Sequence, residues 1–281
     1  GLVQNQVQHK HLSLGSSKSH HPALRSHAII LDRDIWPGER LRLAAGKPTL
    51  GSWIMIGHQA SAEILAGAGF DWITVDMEHT SIGYETLPVL LAAIRSRGPE
   101  PFVRIEANDP AVIKRVLDCG ASGIIVPLVN SAAEAEAAAR AARYPPAGFR
   151  GVSLGRASDY GANFPDYFRS INDEVLVVAQ IEHYLAVEAI DSILAVPGVD
   201  AVFLGPYDLS GSMGIVGQFD HPRMAEARRR VLEAGRRAGK AVGFHEVRLE
   251  PQPVQALLDE GFTMVACGID TIFLRDGARG V

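Results

Sequence analysis

Leu176-Val177-Val178-Ala179-Gln180-Ile181-Glu182, a helix pattern over Leu185–Val196, and then Val202-Phe203-Leu204-Gly205-Pro206-Tyr207-Asp208 decide the fold. Neither apolar run alternates with polar residues as a half-exposed strand would. Both predict strands covered on two faces, over Glu174–Glu182 and Asp200–Gly205. A strand, a crossover helix and another strand make a parallel unit. Each strand also delivers one carboxylate where it ends, Glu182 from the first and Asp208 from the second. Two hard oxygen donors side by side suit a cation at the mouth of a parallel barrel. The alternative is that each acid caps the helix that follows it.

The same alternation extends in both directions. Strand-like runs occupy Ser52–Gly57, Asp71–Asp76, Pro101–Ile105 and Ser122–Leu128 before the central unit, and Ala241–His245 and Thr263–Cys267 after it. Helix patterns lie between most of them, at Ala60–Ala68, Tyr84–Arg97, Pro110–Asp118, Ala132–Ala142 and Arg223–Ala238. Asp109-Pro110 and Asn130-Ser131 supply recognisable helix starts. Strands and helices alternating in this number specify one (β/α)8 TIM barrel over residues 35–281 more simply than a doubly wound sheet. The long irregular stretch from Tyr144 to Asn172 is Gly- and aromatic-rich, and is expected to form a lid over the barrel mouth. Residues 1–34 hold five of the ten histidines and the polar run Gly15-Ser16-Ser17-Lys18-Ser19-His20-His21. With no apolar segment after a basic start, they suggest a flexible leader or an artificial extension rather than a signal peptide.

Composition narrows the function class. At 47% hydrophobic over 281 residues the chain can bury one large core or two modest ones. Beyond the first 27 residues it carries 24 basic against 32 acidic side chains, which argues against a nucleic-acid partner. The arginine cluster Arg228-Arg229-Arg230 with Arg236-Arg237 is expected on the solvated face of a helix. No apolar stretch approaches membrane-spanning length, and a cytoplasmic location is expected. Cys119 and Cys267 lack metal-ligand spacing and are expected to be reduced thiols.

Functional groups of such a barrel collect at the C-terminal ends of its strands. Gly57-His58, Asp76-Met77-Glu78-His79, Arg104, Gln180-Ile181-Glu182-His183, Gly205-Pro206-Tyr207-Asp208 and His245-Glu246 all fall there, although a lone histidine is more often structural. The five lysines, Lys10, Lys18, Lys47, Lys114 and Lys240, fall elsewhere. Schiff-base chemistry needs a desolvated lysine facing the substrate, so carbanion chemistry here would need a metal as electron sink.

Further phrases run in order along the chain: Gly67-Ala68-Gly69-Phe70-Asp71-Trp72, Asp76-Met77-Glu78-His79, Asn108-Asp109-Pro110, Ile113-Lys114-Arg115-Val116-Leu117-Asp118, Arg143-Tyr144-Pro145-Pro146-Ala147-Gly148-Phe149-Arg150-Gly151-Val152, Gln180-Ile181-Glu182 and Gly205-Pro206-Tyr207-Asp208-Leu209-Ser210. With them the stretch Ser52–Asp270 resembles the HpcH/HpaI family of metal-dependent pyruvate aldolases. The resemblance implies a reversible cleavage of a 4-hydroxy-2-oxo acid to pyruvate and an aldehyde. It implies Glu182 and Asp208 as ligands to a divalent cation (Mg²⁺, Mn²⁺ or Co²⁺) and His79 as general base. Arg104 would hold the oxo group, and Gln180, Tyr207 and Asp208 would meet the pyruvyl part. Asp76 and Asp118 match acids that orient the histidine. Two departures stand out: His183 replaces a small hydroxyl residue, and the chain ends soon after the last strand. An acyl-CoA lyase, a phosphoenolpyruvate-type carboxylase or mutase, and a non-catalytic 2-oxo acid sensor are the rival readings. Asp118 ends the third helix, at the rim opposite His79. The alternative is a helix-end residue with no catalytic part. If Asp118 does support the histidine, a neighbouring subunit could deliver it, which predicts a homo-oligomer, a hexamer as the resemblance implies.

Overall fold

β5 (Leu176–Ile181) and β6 (Ala201–Leu204) run parallel and in register, Val178 opposite Ala201 and Ile181 opposite Leu204. The computed structural model describes residues 46–281; the segment read as a leader lies outside them. The remaining strands are β1 (Thr49–Ile54), β2 (Trp72–Asp76), β3 (Glu100–Arg104), β4 (Gly123–Val126), β7 (Ala241–Glu246) and β8 (Met264–Ile269). Each pairs in parallel with the next, and β8 closes on β1 as an eight-stranded barrel. Strand order equals chain order, as a repeated right-handed crossover requires.

The floor of the barrel is built from large rings seated on glycines. Trp72, Phe102 and Phe203 are buried, and each stands directly across the ladder from a glycine: Gly51, Gly123 and Gly243. A Cβ at Gly51 would lie 2.2 Å from the Trp72 ring, and one at Gly243 2.2 Å from Phe203. The absent side chains are the space the rings occupy, the alternation of large and small that a barrel interior needs. Trp72 Nε1 donates to Thr49 Oγ1 at 3.1 Å, so its one polar atom is paired inside the core.

The helices are α1 (Gln59–Ala66), α2 (Leu87–Arg95), α3 (Pro110–Asp118), α4 (Ala132–Ala141), α5 (Phe164–Glu174), α6 (Tyr184–Glu188), α7 (Ile190–Leu194), α8 (Pro206–Ser212), α9 (Pro222–Ala238), α10 (Pro251–Glu260) and α11 (Asp270–Arg279). The expected starts hold: Asp109 accepts the Ala111 N–H at 2.7 Å, and Ser131 accepts the Glu134 N–H at 3.3 Å.

Several expectations are corrected. The single helix over Leu185–Val196 is two, broken at Ala189. Glu174 ends a helix rather than opening β5. The stretch Tyr144–Asn172 is not a lid. It leaves α4 and returns to the start of β5, so chain direction places it at the rim opposite the mouth. There it contains most of α5 and wraps the end of α3, where Arg156 Nη1 donates to Cys119 O at 3.1 Å. α11 packs after the last strand: Asp270, buried at its first position, accepts the Met55 and Ile56 N–H groups at 2.9 and 3.0 Å and the Ser61 hydroxyl at 2.7 Å. One carboxylate thus joins β8 to β1 and α1. Among the described residues no helix is long and apolar enough to cross a membrane.

Candidate active site

The register of β2 on β3 sets Asp76 directly opposite Arg104. Both residues end their strands, and their side chains meet as a fork-to-fork pair, Nε to Oδ1 at 2.9 Å and Nη2 to Oδ2 at 2.7 Å. Asp76 is fully buried. The guanidinium lies over the Trp53 indole, its Cζ 4.4 Å from the ring centroid. Its Nε is also 3.2 Å from Glu78 Oε2, but gives its hydrogen to Asp76, so that Glu78 oxygen is buried without a hydrogen bond. Burial above all holds the Glu78 carboxyl above its ordinary pKa; Arg104 opposes this, and the charges of Glu182 and Asp76 add to it.

Asp76 reaches His79 through the main chain, accepting its N–H at 3.4 Å and that of Glu78 at 3.0 Å. The His79 ring itself is more than half exposed, and Glu78 Oε2 lies 3.7 Å from its Nε2. Across the mouth, Glu182 follows β5 and is 3% exposed. Its Oε1 accepts the Leu128 N–H at 2.7 Å, and its Oε2 accepts from Gln180 Nε2. Leu128 takes the left-handed conformation, φ 53°, to aim that N–H, an uncommon backbone for a branched residue and one that clusters at functional sites. Gln180 Oε1 is buried with no partner. Asp208 sits exposed in the first turn of α8, beside Tyr207, whose ring meets Phe219 edge-on at 4.8 Å.

Asp76, His79, Arg104, Gln180, Tyr207 and Asp208 line one cavity of about 750 Å³ at the C-terminal mouth. Glu182 lies immediately behind its wall, at Gly205. A Cβ on Gly205 would come 2.9 Å from Glu182 Cβ and 3.0 Å from Oε2. Gly205→Ala is therefore expected to push that carboxylate from its two donors, at a cost of about 1–3 kcal/mol. A lowered urea midpoint together with lost activity would show it; an unchanged midpoint with native activity would mean the wall yields freely.

Asp118 is not in this cavity. Its Oδ1 accepts from Arg150 Nη2 at 2.7 Å at the opposite rim, as its place at the end of α3 requires. Arg150 is buried, lies over Tyr144 at 4.7 Å and leaves Nε and Nη1 without partners.

Among the described residues no three His, Cys, Asp or Glu side chains gather as a metal cluster. The residues nonetheless fit a hard divalent cation. Glu182 and Asp208 are oxygen donors, Gln180 Oε1 and Glu78 Oε2 are buried acceptors lacking donors, and Asp76, Glu78 and Glu182 concentrate negative charge. No described lysine lines the cavity; Lys240, for one, donates to Leu194 O and Val196 O.

Residues 49–276 match the HpcH/HpaI aldolase/citrate lyase family. The chain belongs to that family. It is 43% identical over 241 residues to the 4-hydroxy-2-oxo-heptane-1,7-dioate aldolase of Shigella sonnei, covering 85% of this chain and 91% of that protein. Among solved structures, an HpcH/HpaI aldolase/citrate lyase family protein from Burkholderia cenocepacia superposes with a TM-score of 0.82 at 34% identity, over 86% of this chain and 96% of that one. An HpcH/HpaI aldolase from Desulfitobacterium hafniense gives 0.79 at 35%, over 86% and 95%. The protein is accordingly an aldolase-family lyase.

Several features of this HpcH/HpaI aldolase were not foreseen. Three histidines are helix caps: His58 and His183 after strands β1 and β5, and His221 ahead of α9, each accept, through Nδ1, the N–H two residues on. His183 thus does the work of a hydroxyl cap and is absent from the cavity lining. His245 does line the cavity, and burial pushes its pKa down to about 4. Arg228 corrects the reading of the arginine run. It shares a face of α9 with buried Met224 and Val231, lies over Phe244 at 5.4 Å, pairs with Glu260 and borders the cavity. Arg229 pairs with Glu226 and Glu233 on the solvated face, as expected. Both cysteines are free thiols, and burial raises their pKa values, that of Cys267 to about 12.

Proposed function

We propose that the protein is a divalent-cation-dependent aldolase that reversibly cleaves a 4-hydroxy-2-oxo acid to pyruvate and an aldehyde. The Asp76–Arg104 pair and Gln180 lining one cavity, with Glu78 beside Arg104 and Glu182 just behind the wall, carry this reading. A cation (Mg²⁺, Mn²⁺ or Co²⁺) held by Glu182 and Asp208 would supply Lewis acidity to the 2-oxo acid group. Gln180 and Tyr207 orient the pyruvyl part. His79, exposed to the cavity, takes the proton of the 4-hydroxyl. The C3–C4 bond then breaks; its electron pair moves toward the C2 oxygen, and the aldehyde carbonyl forms at C4. Arg104 Nη1, the guanidinium nitrogen not engaged by Asp76 or Glu78, donates to that oxygen. Because its other two nitrogens are fixed by a buried carboxylate, the donor is already aimed before charge develops.

The acyl-CoA lyase reading gains nothing from the arginines at the cavity edge, since Arg228 is paired with Glu260 and Arg248 with Glu246. Incubating metal-loaded protein with pyruvate and a panel of aldehydes, and searching for 4-hydroxy-2-oxo acids by mass spectrometry, tests the proposal. No product with any aldehyde would defeat it.

The same reading makes the active species a homo-oligomer, a hexamer, in which Asp118 of one copy supports His79 of another. Its support is the seat of Asp118 on Arg150, beside a segment exposing Phe149, Val152, Leu154 and Tyr160, apolar surface of the kind that interfaces cover. Sedimentation at assay concentration is expected to show the oligomer. A fully active monomer would overturn the assignment.

A further inference from the structure

His245 is the penultimate residue of β7 and is, with His79, one of two described histidines lining the cavity. Its ring stacks on Trp53, centroids 5.0 Å apart and planes 18° from parallel. The same indole carries Arg104 at 4.4 Å, so imidazole and guanidinium share one aromatic support. Nε2 lies 3.0 Å from Gly268 O. A carbonyl oxygen only accepts, so Nε2 holds the ring hydrogen and Nδ1 carries the lone pair. No described residue donates to that Nδ1. The cavity it lines also carries the apolar side chains of Phe203 and Ile269, so a substrate donor there meets few other acceptors on that part of the wall.

The position says which part of a substrate could bring that donor. β5 and β6 provide Gln180, Glu182 and Asp208, the groups assigned above to the 2-oxo acid. β7 is next along the rim, and His245 therefore stands beside that end rather than within it. Glu246 is no competitor, because Arg248 engages both of its oxygens at 2.9 and 2.7 Å. Resting on the aldolase reading, we propose that His245 Nδ1 accepts a hydrogen bond from a hydroxyl on the aldehyde half of the substrate. The enzyme then favours hydroxyaldehydes over alkyl aldehydes of the same size. His245 is suited to this and not to proton abstraction, since its burial makes it a weak base that stays neutral near pH 7.

Glycolaldehyde and propanal, matched hydroxyl for methyl, are each condensed with pyruvate by metal-loaded native protein and by His245→Phe, which keeps a ring on Trp53 but removes the acceptor. Comparing kcat/KM ratios between proteins cancels the intrinsic reactivity of the aldehydes. The glycolaldehyde-to-propanal ratio is expected to fall about tenfold in His245→Phe, the loss of one buried hydrogen bond. His245→Leu, which also lacks the acceptor, is expected to show the same fall and decides the matter if the Phe variant does not fold. A ratio unchanged in both variants, or in the one that folds, overturns the role of His245 and leaves the aldolase reading standing. No product from either aldehyde with the native protein overturns both.

Discussion

Glu182→Gln is expected to abolish turnover, and excess EDTA is expected to do the same to the native protein until cation is restored. The substitution removes a full negative charge from one of only two proposed protein ligands. It also misfits its surroundings. Both carboxylate oxygens accept hydrogen bonds, from the Leu128 N–H and from Gln180 Nε2. An amide can accept with only one of its two heads, so the Leu128 N–H is kept only if the new NH2 faces Gln180, whose amide must then turn its Oε1 toward it and away from the cavity. Lewis-acid stabilisation of the transition state is worth several kcal/mol, so its loss lowers the rate by roughly a thousandfold or more. Pyruvate release followed before and after EDTA and cation addition, in both proteins, checks this. Undiminished turnover in EDTA would rule the reading out.

Arg104→Ala has the second large effect, and it acts on folding as well as on chemistry. Asp76 is fully buried and would lose its only charged partner among the described residues. Breaking a buried pair from one side costs about 3–5 kcal/mol, so the midpoint of unfolding should fall markedly. In the protein that remains folded, exchange of pyruvate methyl protons into deuterated water, followed by NMR, should be lost because the enolate has no donor. His79→Ala separates the two roles. It should slow cleavage by ~10²–10⁴-fold, the usual effect of a lost general base, without the loss of stability. Native exchange rates in Arg104→Ala would remove arginine from the enolate step.

Much of this architecture was legible in the chain. Apolar runs ending in carboxylates marked β5 and β6, and Pro110–Asp118 matches α3 residue for residue because Asp109-Pro110 leaves its start no freedom. Side chains at strand ends named Asp76, His79, Arg104, Gln180 and Asp208, and one cavity collects them. What was missed shares a physical cause: the partner is remote in sequence. Trp53 matters because Arg104 and His245 both rest on it, which no local pattern records. Arg228 points inward because of Phe244 and Phe262, although its neighbours in the arginine run point to water. The supposed lid was an error of a different kind. A connection from a helix back to a strand belongs at the far rim whatever its composition, and topology should have outweighed its glycines and aromatics. The part played by Glu78 was not legible, since only the fold shows that it shares Arg104 with Asp76 and lies 3.7 Å from the His79 ring.

The Asp270 clip has a mechanical side. Seven of the barrel's eight strand junctions join neighbours in the chain, whereas the eighth joins β8 to β1 across the whole length of the fold. Asp270 is the splice at that joint, gripping Met55 and Ile56, and Trp53 opposite Ile269 lies in the same joint. Trp53 is also the surface on which the guanidinium and the imidazole rest. Slack at the splice would therefore be felt as play in the alignment of Arg104 and His245, and a carboxylate outside the cavity helps to set the tolerance to which the cavity is built.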